Sequence, residues 1–147
     1  MQPRGYTVAM TKDAQLHTAI RVLMMPRDTN PAGTIFGGVI LSYIDQAGAE
    51  EARRHGADRV VTVAMKEVVF HEPVYVGDLV SFNTSLVSCG RTSVTVIVTV
   101  EAARSGARNT LARVTDAEIT YVNVDADGRP IPLNPEPKTD SSPGGAH

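Results

Sequence analysis

The 147-residue sequence predicts an α+β fold, with an antiparallel sheet of about five strands wrapped around one long apolar helix. Three observations lead to it. Residues 37–55 carry one helical pattern that is apolar round most of its circumference. From residue 60 to 124 the chain is rich in β-branched residues, alternates with a period of two and breaks mainly at short turns. Only one strand-like run precedes the helix, so successive hairpins curling over it are the economical way to cover an apolar sheet face.

Taken in order, residues 1–15 hold Pro3, Gly5 and mixed polar residues without a period, and read as a flexible N-terminal arm. His17 to Met25 is apolar and partly β-branched, a first strand that Pro26 ends. The loop from Arg27 to Phe36 follows, its Asp28-Thr29-Asn30-Pro31 and Ala32-Gly33 steps being turn chemistry. The helix then runs from Gly37 to His55 and stops at Gly56, with Arg53, Arg54 and His55 in its last turn, where cations suit the dipole. Val60 to Phe70 is the next strand, broken by Pro73. Leu79 to Ser88 follows, with Val80, Phe82 and Leu86 on one face. Alternating valines from Val94 to Val100 and a long run from Leu111 to Val124 complete the sheet. Residues 134–147 are rich in Pro, Ser and Gly, with too few apolar groups to pack, and read as a disordered tail.

Composition narrows the function. With 42 % apolar residues a single domain of this length buries a real core, and a net charge of −2 makes no case for nucleic acid. Neither a signal pattern nor an apolar run near 20 residues is present, so the expectation is a cytoplasmic protein with no membrane partner. One cysteine, Cys89, rules out an internal disulfide and fits a reducing compartment; it reads as a packing residue. No Cys or His cluster has metal-ligand spacing. His71, just before Pro73, reads as a strand-end or interface residue rather than an acid.

Chemistry gathers at the loop and helix. At 100° per residue, Asp45 falls within about 40° of Gly38, Leu41, Ala49 and Ala52, on the edge of the apolar zone and beside a polar stripe of Ser42, Gln46 and Arg53. A carboxylate drawn partly out of water suits proton transfer, and equally it suits a structural ion pair or a backbone hydrogen bond. Asn30 is likewise either a polar group aimed at a substrate or the maker of an Asx-turn.

Met25-Pro26-Arg27-Asp28-Thr29-Asn30-Pro31-Ala32-Gly33-Thr34-Ile35-Phe36-Gly37-Gly38, then Asp45 and Ala47-Gly48-Ala49, Val60-Val61-Thr62-Val63-Ala64, Pro73-Val74-Tyr75-Val76-Gly77-Asp78 and Gly90-Arg91-Thr92-Ser93 together resemble the hotdog-fold acyl-CoA thioesterases of the YciA-like, cytosolic acyl-CoA hydrolase type. The likeness spans about residues 16–133 and implies a thioester hydrolase on acyl-CoA, with no cofactor beyond the CoA of the substrate. It assigns Asp45 as the catalytic carboxylate and Asn30 as its partner in orienting water or substrate. The backbone N–H groups at Gly37 and Gly38 become the carbonyl-binding site, and Gly90, Arg91, Thr92 and Ser93 lie near the CoA. Several relatives place His before the glycine pair, where this chain has Phe36. The resemblance also implies a homodimer with shared active sites, assembled further as a trimer of dimers, hence a hexamer. Two other functions fit the same pocket. A dehydratase or hydratase on acyl thioesters needs a His paired with an acid, and the loop offers none. A non-catalytic acyl-CoA sensor has no use for a buried carboxylate.

Overall fold

A computed structural model describes residues 15–106 and 110–134; most of the expected N-terminal arm and all but the first residue of the expected tail lie outside that range. Five strands and one long helix are present in the expected order: β1 His17–Leu23, α1 Gly37–Arg54, β2 Val60–Met65, β3 Leu79–Cys89, β4 Ser93–Ala103 and β5 Leu111–Asn123. The strands form one antiparallel sheet, β1-β3-β4-β5-β2, so β1 and β2 are its edges. Each of the four ladders contains one register shift, at Thr18/Ile20, Thr62/Ala64, Leu86/Ser88 and Val100/Glu101. Such irregularities bend a strand and increase its twist, which curls the sheet about α1.

The core lies between the concave sheet face and the helix. In β4 burial alternates without a break, Val94, Val96, Val98, Val100 and Ala102 facing in, as a two-residue period demands. Ile40, Ile44, Ala47 and Ala52 of α1 meet them together with Phe82, Ile119 and Tyr121. Fully burying a large apolar side chain of this kind stabilises by roughly 1.5–3 kcal/mol. Gly56 ends the helix with φ +95°, and a Cβ there would stand 2.1 Å from the carbonyl oxygen of Asn134. Only glycine takes that backbone at no steric cost, and it lets the Asn134 N–H donate to Gly56 O at 2.9 Å.

Several expectations change: β1 ends at Leu23 and α1 at Arg54, each short of the expected bound. The second strand ends at Met65, not Phe70. Beyond its bulge the chain still follows β5, Lys66 N–H bonding Glu118 O and His71 N–H bonding Val114 O, but without a continuous ladder. Cys89 is exposed at the end of β3 rather than packed, in the exposed last stretch of the strand around and after the register shift at Leu86/Ser88. Partial desolvation nevertheless pushes its thiol pKa up, which disfavours the reactive thiolate. The helix also hides a second carboxylate that its sequence pattern did not single out. Glu51 is 2 % exposed, accepts a hydrogen bond from the Thr84 hydroxyl at 3.1 Å and lies 3.1 Å from His55 Nε2, so both its oxygens are occupied.

Candidate active site

The loop before α1 closes on itself. Asp28 Oδ2 accepts the Met25 N–H at 3.0 Å, Asp28 O accepts the Phe36 N–H at 2.9 Å, and Ile35 N–H bonds Val74 O. Asn30 makes the turn that its sequence context allows: Oδ1 accepts from Ala32 N–H (3.0 Å) and Thr34 N–H (3.1 Å), while Nδ2 donates to Thr34 Oγ1 (2.9 Å). Its amide therefore holds the loop's shape.

That loop delivers Gly37 and Gly38 to the start of α1 with no side-chain cap and no acidic residue in the first turn. Among the described residues their N–H groups meet no acceptor, as expected for the first positions of a helix, and they carry its positive dipole end. Gly38 has open space where a Cβ would be, and the Phe70 ring stands 3.5 Å from the Cβ position of Gly37. Phe36 and Phe70 are both exposed beside this pair.

Asp45 lies two turns further on, half-buried. Oδ1 accepts the Thr62 hydroxyl at 2.7 Å and the Tyr121 hydroxyl at 3.2 Å, and the same Tyr121 hydroxyl reaches the backbone oxygen of Asp45 at 2.7 Å. Burial first, then the charge and hydrogen bond of Asp45, push the Tyr121 phenol well above the ordinary tyrosine range. It stays a protonated donor. Asp45 forms no ion pair with any described residue.

The structure thus does not join the side chains of Asn30 and Asp45 within one chain: each has its own partners. It does bring the Gly90–Ser93 turn to the Asp45 end of the sheet, since Ser93 pairs with Val122 and Val94 with Tyr121. Gly90 N–H bonds Ser93 O at 2.8 Å to close that hairpin, and Leu133 N–H bonds Arg91 O at 3.0 Å to brace it. A Cβ at Gly90 would lie 2.6 Å from Ser93 Oγ. Arg91 is exposed and has no ion pair among the described residues.

Thr62 and Tyr121 escaped the sequence reading, which saw only strand formers. A signal existed. Glycine inside a helix costs about 1 kcal/mol relative to alanine, so Gly48, one turn beyond Asp45, marks a place where something large comes close.

A long helix packed against a five-stranded antiparallel sheet is the hotdog fold. A family model of the thioesterase superfamily matches residues 32–108. The acyl-CoA thioester hydrolase YciA of Salmonella typhimurium is 38 % identical over 126 residues, covering 84 % of this chain and 95 % of its own. A hexameric hotdog fold thioesterase of Campylobacter jejuni is 46 % identical with a TM-score of 0.75, covering 80 % of this chain and 90 % of that one. A hexameric thioesterase from Yersinia pestis is 36 % identical, also at TM-score 0.75, covering 84 % and 98 % respectively. The chain belongs to the thioesterase superfamily, with the YciA-like acyl-CoA thioester hydrolases.

Proposed function

We propose that this protein is an acyl-CoA thioesterase, converting acyl-CoA and water to the free carboxylic acid and CoA. The observation that carries the reading is its 38 % identity to an acyl-CoA thioester hydrolase over 84 % of this chain and 95 % of that one. The test is release of free thiol from acetyl, medium-chain, long-chain and aromatic CoA thioesters. Thiol appearing in step with acid is the expected result, and none from any of the panel would overturn it.

In the mechanism, Asp45 is the reacting carboxylate. As a base it takes a proton from water while the water oxygen bonds to the thioester carbonyl carbon; as a nucleophile it bonds that carbon itself, and water later cleaves the anhydride. The carbonyl electron pair becomes an oxyanion facing the Gly37 and Gly38 N–H donors, where the helix dipole favours negative charge. The C–S bond then breaks, and the CoA thiolate takes up a proton. Thiolate is a good leaving group, so no strong acid is needed.

The working unit is a homodimer with shared sites. Gly37 and Asp45 are eight residues apart, roughly 12 Å along a helix, too far to serve one carbonyl. Supporting the pairing, edge strand β2 has neither Pro nor charge, and its Val61 and Val63 are 43 % and 54 % exposed; such an edge is a template for another strand. Pairing two copies through it sets the helices antiparallel, and brings Asn30 and Gly37 of one protomer toward Asp45 of its partner. Further assembly as a trimer of dimers accords with the hexameric relatives. No described helix is long and apolar enough to cross a membrane.

Arg91 meets a CoA phosphate in this scheme, with Gly90, Thr92 and Ser93 lining the approach. Arg91→Ala should raise KM for CoA thioesters about tenfold or more, since a lost charge-assisted bond is worth about 1.5–3 kcal/mol. A short pantetheine thioester should be unaffected; equal effects on both substrates would place Arg91 elsewhere.

A further inference from the structure

Asp45 sits in a socket made by three residues that the reaction itself does not call for. Thr62 and Tyr121 face each other across the β2–β5 ladder, and both hydroxyls converge on one oxygen, Oδ1. Oδ2 accepts no hydrogen bond from any described residue. Tyr121 is 1 % exposed, so it is out of reach of a substrate. Its ring reaches the helix only because residue 48 is glycine: a Cβ there would stand 2.3 Å from the Tyr121 hydroxyl oxygen and 3.0 Å from two ring carbons.

A tyrosine that needed only to satisfy its own hydroxyl is served by the backbone oxygen of Asp45, at 2.7 Å. The same hydroxyl also lies within hydrogen-bond reach of the carboxylate, which ties the side chain to the helix backbone on which it stands. The Asp χ2 torsion is broad and roughly two-fold. The Thr62 donor and the forked Tyr121 hydrogen bond, whose one hydrogen is shared with the Asp45 backbone oxygen, restrict that freedom.

We propose that Tyr121, lodged in the notch at Gly48, is a positioning residue for Asp45: with Thr62 it fixes Oδ1, so that Oδ2 is the oxygen presented to the reacting water or thioester. The role rests on the reading of Asp45 as the catalytic carboxylate. It deepens that reading by saying which oxygen acts and what aims it. Thr62 is 17 residues from Asp45 and Tyr121 is 76, so the socket exists only once β2 and β5 have paired beneath the helix.

The experiment measures kcat, KM and urea stability for Tyr121→Phe, Asp45→Ala and the double variant. Loss of aim at the reacting group should lower kcat by about ten- to a hundredfold while KM stays within about twofold. In the Asp45→Ala background the same change should leave the residual rate alone, because residues that act as a unit are not additive. Equal losses in both backgrounds, or a matching rise in KM, would make Tyr121 merely structural and overturn the proposal. So would a Tyr121→Phe enzyme within about threefold of wild type in kcat while Asp45→Ala is inactive; the reading of Asp45 then survives. An active Asp45→Ala enzyme would instead remove that reading and the proposal with it. If Tyr121→Phe does not fold, Gly48→Ala carries the same comparison, since it keeps the hydroxyl but displaces it, and an unchanged kcat there overturns the proposal.

Discussion

Asp45→Ala is expected to lower kcat by about 10²- to 10⁴-fold, the usual cost of removing a general base, with KM for acyl-CoA little changed. The asymmetry follows from where the carboxylate acts. In the proposed mechanism it touches the water or carbonyl carbon as the new bond forms, so its loss falls on the transition state and not on the bound substrate. Folding should survive the change. The Tyr121 hydroxyl keeps its bond to the backbone oxygen of residue 45. Steady-state kinetics beside a urea titration check both halves. A variant within about threefold of wild type in kcat would show that the carboxylate is not the reacting group.

Mixing two inactive variants should regenerate activity. If Asn30 of one protomer works with Asp45 of its partner, a dimer of one Asn30→Ala chain and one Asp45→Ala chain holds one doubly damaged site and one intact site. Free exchange makes half the dimers mixed, so about a quarter of wild-type activity should return. The physical ground is distance: roughly 12 Å of helix separates Gly37 from Asp45, whereas a base must lie within hydrogen-bond reach of the water that attacks the carbonyl. Asn30 also spends its amide on Ala32 and Thr34 within its own loop, so loss of its side chain would also disturb the loop it shapes. With exchange confirmed and each single variant inactive, absence of recovery would put both residues in one site of one chain.

Local pattern carried much of the fold. The apolar helix begins at Gly37 and ends one residue before the expected His55, because Gly56 stops it through a positive φ that glycine takes without steric cost. The valines of β4 alternate in sequence and in burial alike, since a strand's side chains must point to opposite faces. Asp45 was conspicuous for the same kind of reason: a carboxylate at the edge of an apolar helical face calls for an explanation at the level of the helix alone.

Tertiary structure decided what Asp45 touches. Thr62 looked like one β-branched residue among many, and Tyr121 like one more strand former. Their meeting depends on β2 pairing with β5, two strands separated by the whole β3–β4 hairpin, and no local period encodes that partnership. The early end of β2 at Met65 and the exposure of Cys89 likewise emerged only in the folded chain. The sequence by itself determined which segments are helix or strand and which helix carries a carboxylate, because propensity, capping and alternation act over a few residues. Only the folded sheet determined that two hydroxyls share one oxygen of that carboxylate, because a hydrogen bond of 2.7 Å needs a position that long-range strand pairing alone supplies.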